Sequence, residues 1–238
     1  MTVIARVIDF ETTGFPPDAG IVEVGWSDVI LKGDHTNPEA AISVEVTPWQ
    51  SEICNPGKKI EIAAMAVHHI TEEDIKGKRT PGAVLNELME GVDYWVAHNA
   101  KFEQEFFKTQ APWICTLKLA YRLCPKAPNH QNQTIRYFLR TPVNPKDAQP
   151  SHRAGPDAYV TAYTFAKFLE AKVPFDKMVE WSKLPPLLPH CPIGKNRGKP
   201  WSEVDNGFLM WCMRQPTMED DIKWNVQQEL DRRRAKNQ

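Results

Sequence analysis

The alternation of apolar and polar positions along the chain predicts a sheet of mixed strand directions with helices packed around it. The apolar run 3–10 predicts a central strand that is buried on both faces. Two runs rich in Val and Ile, 21–31 and 41–46, predict strands that complete an antiparallel meander. Short apolar runs at 94–97 and 113–115 predict two further strands.

Helical spacing of apolar residues marks the segments between and after these strands. The predicted helices cover 71–75, 81–90, 101–108, 117–120, 135–139 and 156–172. A meander followed by alternating helices and strands is typical of an α/β domain with a mixed sheet. The pattern therefore predicts a mixed β-sheet flanked by helices.

A Pro-rich segment, 184–192 (LPPLLPHCP), predicts a stiff and extended linker late in the chain. We therefore expect a main domain over 1–174, a helical and Pro-rich linker over 175–192, and a small C-terminal module over 193–238. A module of that length lies near the lower limit of independent folding.

Composition narrows the classes of protein without choosing among them. The hydrophobic content of 42% and the charged content of 25% are ordinary for a globular protein. No apolar run reaches the roughly 18 residues of a membrane span. The first apolar strand begins at once, with no basic leader before it, so we expect a cytoplasmic protein without a membrane partner. The five cysteines are scattered and form no C-x-x-C pair, which argues against a zinc site or a disulfide framework.

The net charge of −1 is weak evidence against binding of nucleic acid. However, an enzyme that holds divalent cations carries a local excess of carboxylates, and these offset basic residues elsewhere in the sum. The net charge therefore leaves nucleic acid open as a partner.

Two acids, Asp9 and Glu11, close the first predicted strand. Side chains alternate along a strand with a period of two, so both carboxylates point to the same side. Acids at the end of an apolar strand are costly unless a cation lies between them. Carboxylate oxygens favour Mg²⁺ or Mn²⁺. The alternative is a strand end that frays into solvent, where acids are harmless.

Three later residues carry weaker signals of the same chemistry. Glu103 and Asp157 each lie in the first turn of a predicted helix, where an acid also interacts favourably with the helix dipole. His152 lies on the irregular approach to the second of these helices. An imidazole titrates near neutrality and can take a proton from water, although a lone histidine in a loop is often an ordinary surface residue.

The order of these segments is more specific than any one of them. Segments 9–14 (DFETTG), 98–103 (HNAKFE) and 152–157 (HRAGPD) together resemble the DEDDh family of 3′→5′ exonucleases. The resemblance extends to 21–25 (IVEVG) and 113–120 (WICTLKLA), and it is greatest to the exonuclease X-like members. It implies a ribonuclease-H-like fold, and it covers roughly residues 3 to 172 and 193 to 215.

The resemblance also implies a division of labour among the site residues. Two divalent cations, Mg²⁺ or Mn²⁺, would be bridged by Asp9, with Glu11 and Asp157 completing one site and Glu103 supporting the other. His152 would deprotonate the water that attacks the terminal phosphate, so that nucleoside 5′-monophosphates leave.

Glu103 departs from the family pattern, which has Asp at this position. The carboxylate is kept, but its reach grows by one methylene. That change either adjusts the position of the second cation or misplaces it, and small displacements at such sites can cost orders of magnitude in rate.

The resemblance implies that Phe10 and Thr12 line the pocket for the 3′-terminal nucleotide alongside the segment 68–71, with Ile70 as an apolar wedge against the last base. An ordinary core position is the alternative for Ile70. In the tail, Lys195, Arg197 and Lys199 alternate in a segment that we expect to be extended, where they could project together towards phosphates. A solvated basic hairpin is the alternative there.

The sequence therefore predicts a metal-dependent 3′→5′ exonuclease that acts on DNA 3′ ends and favours single strands. An exoribonuclease remains open, because the scissile phosphodiester is common to both polymers. A nucleic-acid-binding protein whose exonuclease activity has weakened also remains open, because a fold alone does not guarantee activity.

Overall fold

The central strand of the sheet, β1 (Thr2–Thr12), pairs antiparallel with β2 (Ile21–Lys32) in the computed structural model, which describes residues 2–37 and 39–236. Strands β3 (Ser43–Val46) and β4 (Gln50–Ile53) both pair antiparallel with β2. On the other side of β1, the strands run parallel. The sheet is therefore mixed, as the sequence predicts.

The parallel half consists of β5 (Tyr94–Ala97), which pairs with β1, and β6 (Trp113–Cys115), which pairs with β5. The bounds of both strands are those that the sequence predicts. Strand β4 is not predicted by the sequence. It has one apolar residue in four, so no hydrophobic run marks it, and among the described strands it pairs with β2 alone.

Helices flank both faces of the sheet. They are α1 (Ile62–His68), α2 (Glu72–Ile75), α3 (Pro81–Glu87), α4 (Lys101–Phe106), α5 (Thr116–Leu123), α6 (Asn132–Phe138), α7 (Ala154–Leu169), α8 (Phe175–Lys183), α9 (Asn206–Arg214) and α10 (Asp220–Lys236). Every helix that the sequence predicts is present, with ends that differ by a few residues. Helix α1 lies outside the predicted set, and its exposed apolar side chains, such as Ile62, give no one-sided pattern.

The sheet separates two apolar clusters, which explains why β1 is hydrophobic along its length. Ala5 and Val7 pack into one cluster together with Phe165 of α7. Ile8 and Phe10 pack into the cluster on the opposite face. Burial on both faces is the condition under which a strand loses its alternation of apolar and polar residues.

Close packing of α7 against the sheet brings the beginning of this helix beside β2. A Cβ atom at Gly25 would lie 2.0 Å from the carbonyl carbon of Ala154, so no other residue fits there without movement. A Cβ atom at Gly155 would likewise lie 2.3 Å from the ring of Trp49. The two glycines thus allow the first turn of α7 to approach the strands closely.

Helix α8 packs against the edge of the sheet. Cys115 of β6 donates its backbone N–H to Ser182 Oγ at 2.7 Å, and Lys118 Nζ donates to the Ser182 carbonyl at 2.7 Å. Met178 lies fully buried in the same cluster as Val7. The helical part of the segment 175–192 is therefore attached to the sheet, and only the residues after it are extended.

The C-terminal residues have an apolar cluster of their own. It comprises Cys191, Trp201, Val204, Leu209, Cys212, Ile222 and Val226. Asn225 of α10 fixes the Pro-rich segment to this cluster, because its Oδ1 accepts from the Leu188 N–H and its Nδ2 donates to the Pro186 carbonyl, both at 2.9 Å. Within the described residues, no helix combines the length and the apolar content that a membrane crossing needs.

The basic end of the chain is ordered by ion pairs rather than extended. Glu229, which is buried, accepts from Arg232 and from Arg233 at 2.6 Å each. Arg233 also donates to the carbonyl groups of Trp201 and Val204, at 3.0 and 2.7 Å. The guanidinium of Arg233 therefore joins α10 to the turn that precedes α9.

We expect Arg233→Ala to lower the free energy of unfolding by about 2 kcal/mol, because it removes charged donors from buried acceptors. Arg234 is the matched control, since 70% of its side chain is exposed. Arg234→Ala should change the free energy by less than about 0.5 kcal/mol. Urea denaturation of the full chain measures both free energies. Equal effects of the two substitutions would show that the contacts of Arg233 do not stabilise the fold.

Candidate metal and nucleic-acid site

Three carboxylates meet at one end of the sheet. Asp9 and Glu11 lie near the end of β1, and Asp157 lies in the first turn of α7. One oxygen atom from each of the three falls within 4.8 Å of the others. The period of the strand places the first two on one side, and the close approach of α7 brings the third to them. The structure thus brings together three of the four predicted metal ligands.

Hydrogen bonds orient Asp157 within this group. Its Oδ2 accepts the backbone N–H of His152 at 2.7 Å, and Gln133 Nε2 lies 3.5 Å from its Oδ1. Burial raises the pKa of Asp157 above its usual value, and the hydrogen bond from His152 opposes that rise. The carboxylate is therefore held in place by the same loop that carries the imidazole.

Glu103 lies apart from the group of three but in the wall of the same cavity. It is in the first turn of α4 and only 3% exposed. Its Oε2 atom is buried and has no hydrogen-bond partner among the described residues. Burial raises the pKa of Glu103 to about 8. A buried carboxylate oxygen without a partner is unusual, and a bound cation would satisfy it.

The acids at the site disfavour one another's ionised forms. Burial raises the pKa of Asp9 well above its usual value, and the charges of Asp157, Glu103 and Glu11 raise it further. Burial raises the pKa of Glu11 to about 8, with Asp157 and Glu23 adding to the shift. This electrostatic strain is relieved when positive charge is placed among the acids.

An open cavity of about 420 Å³ lies beside the acids. Phe10 and Thr12, which the sequence predicts as nucleotide-binding residues, line it together with Asp9, Glu11, Glu103 and Asp157. His152 is exposed at the same cavity, and its backbone φ of 60° is in the left-handed region. All the predicted catalytic and metal-binding residues therefore face one space.

Ile70 has to be corrected, because it does not line this cavity. It is only 2% exposed and packs with Val22, Ile60 and Ile75 beneath β2. The side chain of Ile70 is therefore buried in the core, away from the cavity in which a base would bind. The ordinary core position, which the sequence left open, is the one observed.

The basic segment of the tail also differs from the expected geometry. Gly194–Asn196 forms a 3₁₀ turn, and Gly198 has a φ of 82°. Backbone hydrogen bonds from Cys191 to Lys199 and from Gly198 to Cys191, each 2.8 Å, close the loop. Lys195, Arg197 and Lys199 are therefore exposed on a tight turn, which we call the basic turn, and not on an extended segment.

Several cavity residues, among them Phe15, are absent from the sequence-based set, whereas His68 belongs to the predicted segment 68–71. Phe15 lines the cavity and is 81% exposed, which is unusual for so large an apolar side chain. Its position directly after Gly14 of the first motif is a usable signal, since an aromatic residue next to a metal site suits base stacking. His68 joins α1 to the end of β1, because its Nδ1 accepts the Ile70 N–H and its Nε2 lies 3.2 Å from the Thr12 carbonyl. Only the three-dimensional structure reveals this second contact.

The donor set suits divalent cations with hard oxygen ligands. Three carboxylates offer converging oxygens, and Glu103 offers an unpartnered oxygen in the same cavity wall. Carboxylate-only donors of this kind favour Mg²⁺ or Mn²⁺ over the softer metals that prefer nitrogen or sulfur. The residues present therefore fit the cations that the sequence predicts.

We expect the stability of the metal-free protein to fall as the pH rises from about 4.5 to about 8. Glu11 and Glu103 have raised pKa values near 8, so the folded chain holds protons that the unfolded chain releases near 4.5. The stability from these groups is present below the unfolded pKa and is lost as the pH rises through the folded pKa. Divalent cations bind the ionised forms, so stabilisation by Mg²⁺ should grow over the same range.

Thermal unfolding with a chelator and with saturating Mg²⁺, at both ends of this pH range, measures the effect. An equal Mg²⁺-dependent increase in Tm at both pH values would contradict the proposed cation site.

Comparisons with known proteins agree with this geometry. Residues 7–165 match the RNase_T family, which is described as Exonuclease. The chain is 32% identical over 211 residues to Exodeoxyribonuclease 10 of Escherichia coli (strain K12), and the match covers 87% of this chain and 89% of that protein. It is 29% identical over 195 residues to DNA polymerase III PolC-type of Thermotoga maritima, which covers 75% of this chain and 13% of that protein.

The structure also superimposes on that of "Exonuclease X in complex with 5′ overhanging duplex DNA". The TM-score is 0.64 at 29% identity, over 75% of this chain and 99% of that chain. The expected ribonuclease-H-like fold and the resemblance to exonuclease X are therefore confirmed. Because the family match spans more than half of this chain, the chain belongs to the exonuclease family.

Proposed function

We propose that this 3′-exonuclease removes nucleotides from the 3′ ends of DNA, favours single strands, and releases nucleoside 5′-monophosphates. The observation that carries the proposal is the convergence of Asp9, Glu11 and Asp157 beside a cavity open to solvent. The similarity to Exodeoxyribonuclease 10 supports DNA as the substrate.

Asp9, Glu11 and Asp157 would hold one divalent cation, and Asp9 with Glu103 would hold a second. Mg²⁺ and Mn²⁺ are the proposed ions, because every donor is a carboxylate. When bound, such ions lower the pKa of water and neutralise charge that develops on the phosphate and the leaving oxygen. The carboxylates of the chain fix where that charge lies.

His152 would take the proton from the water that attacks the terminal phosphorus. Its side chain is exposed at the cavity, and its backbone N–H is tied to Asp157. A neutral imidazole can accept a proton at working pH. The bond between the terminal phosphorus and the 3′ oxygen of the preceding nucleotide then breaks, and the terminal nucleotide leaves with its phosphate.

The 3′-terminal nucleotide would occupy the cavity beside Phe10 and Thr12. Phe15 and Val67 add exposed apolar surface, which suits stacking against any base. The basic turn, with Lys195, Arg197 and Lys199, remains a proposed contact for phosphates, because all three cations are exposed. The division into 1–174, 175–192 and 193–238 and the cytoplasmic location remain predictions from the sequence.

Substitution of His152 by Asn should lower the rate of nucleotide release by about 10²- to 10⁴-fold, because the general base is lost. His69 is the matched control, since both histidines have a φ of 60° and Asn tolerates that conformation. His69→Asn should retain activity. Single-turnover digestion of a 3′-labelled DNA oligonucleotide with Mg²⁺ measures both rates. Retained activity in His152→Asn would refute the assignment of the base.

Glu103 decides between an active enzyme and a binding protein with weakened activity. We expect Glu103→Gln to lower the rate by about 10²-fold, as displaced reacting groups do. Glu103→Asp should remain active. Glu105, which is exposed on the same helix, is the control. If the wild type and Glu103→Asp both bind 3′ ends without turnover, the binding-protein alternative is correct.

Parallel assays on matched DNA and RNA oligonucleotides distinguish a deoxyribonuclease from an exoribonuclease.

A further inference from the structure

A fifth acid, Glu23, lies beside the carboxylate cluster and is fully partnered. It is 1% exposed and lies directly opposite Glu11 in the pairing of β1 with β2. Its carboxylate accepts from Arg153 Nε at 2.9 Å and from Arg153 Nη2 at 2.8 Å. It also accepts the Ala154 N–H at 3.1 Å and the Ser51 hydroxyl at 2.9 Å.

This arrangement differs from that of the acids in the cavity wall. Four donors satisfy Glu23, and a paired guanidinium fixes the direction of both partners. Glu23 does not line the cavity, whereas Glu11, its neighbour across the strands, does. The position therefore suits an acid that holds protein groups and not one that holds a cation.

Two of the three residues held by Glu23 directly follow His152 in the chain. Arg153 is the N-cap residue of α7, and Ala154 is its first residue. On the other side of the loop, the His152 N–H donates to Asp157 Oδ2. The backbone that carries the imidazole is thus attached at one point to β2 and at another to the metal-binding acid.

The surrounding packing leaves this attachment little freedom. Gly25, two residues after Glu23, lies against the backbone of Ala154 at a distance that excludes a Cβ atom. Arg153 also offsets the acidity of the cluster, because its positive charge acts on Glu11. The pair joins β2 to α7 across 130 positions of sequence.

We propose that the Glu23–Arg153 pair is a positioning device that sets His152 and Asp157 against Asp9 and Glu11. Neither residue touches substrate, and both act through the loop that they fix. This inference rests on the proposed function, since it concerns the geometry of the proposed base and of one proposed metal ligand.

The expected signature is a loss in kcat with little change in KM. The cavity wall that would hold the terminal nucleotide comes from β1, the turn after it and α1, and the Glu23–Arg153 pair contacts none of these side chains. His152 and Asp157, in contrast, depend on the pair. Glu23→Gln and Arg153→Gln should each lower kcat by about 10²-fold, the effect expected of roughly 1 Å of misplacement. Both should raise the Mn²⁺ concentration needed for half-saturation, because Asp157 is displaced.

The double variant should lose no more activity than the worse single variant, because one interaction is removed in all three. Arg79 and Glu52 form the matched control pair. The Arg79 guanidinium donates to the Glu52 carboxylate on β4 at 2.8 and 2.7 Å, which is the same two-bond contact. Neither residue lines the cavity. Glu52→Gln and Arg79→Gln should leave kcat and the Mn²⁺ dependence unchanged.

The experiment measures kcat, KM for a single-stranded DNA oligonucleotide, and Mn²⁺ binding without DNA, in all variants of the full chain. Wild-type kcat and Mn²⁺ binding in Glu23→Gln would overturn the inference. If Glu23→Gln fails to fold, Arg153→Lys replaces it, since that variant keeps the charge and loses the paired contact. It should show the same loss in kcat, and wild-type kcat in it would overturn the inference. Absence of metal-dependent nucleotide release by the wild type would instead refute the proposed function, so the two failures are distinguishable.

Discussion

Mutual repulsion among buried acids is the constraint on which the site depends. Asp9, Glu11 and Asp157 meet within a few ångströms, and Glu103 acts on Asp9 from the cavity wall. Burial and like charge both disfavour ionisation, so the arrangement is poised to bind positive charge. The fold must hold the acids together against this repulsion until a cation arrives.

The rest of the structure supplies that restraint. Strand β1 is buried on both faces, so packing on each side fixes the strand that carries Asp9 and Glu11. Helix α7 approaches closely because Gly25 and Gly155 leave room for its backbone. The Glu23–Arg153 pair then fixes the loop before α7, and this gives Glu23 a role that differs from that of the acids in the cavity wall.

Much of this site could be predicted from the sequence, because local rules orient the acids and the order of the three motifs resembles that of an exonuclease family. The spacing of Asp9 and Glu11 on a strand and the place of Asp157 in a first helical turn determine where these side chains point. Ile70 could not be assigned in this way, because the choice between core and cavity depends on how α1 and α2 pack against β2. For the basic turn the sequence left both an extended segment and a hairpin open, since its shape depends on hydrogen bonds between Cys191 and Lys199.

The most direct test of the cation site is a crystal structure of the protein soaked in Mn²⁺, with anomalous diffraction to locate the ion. Because carboxylate oxygens from three residues converge within 4.8 Å, we expect an anomalous peak between Asp9, Glu11 and Asp157, with a second beside Glu103 and Asp9. Absence of an ion from the cavity at saturating Mn²⁺, or an ion held elsewhere while these carboxylates stay unbound, would contradict it.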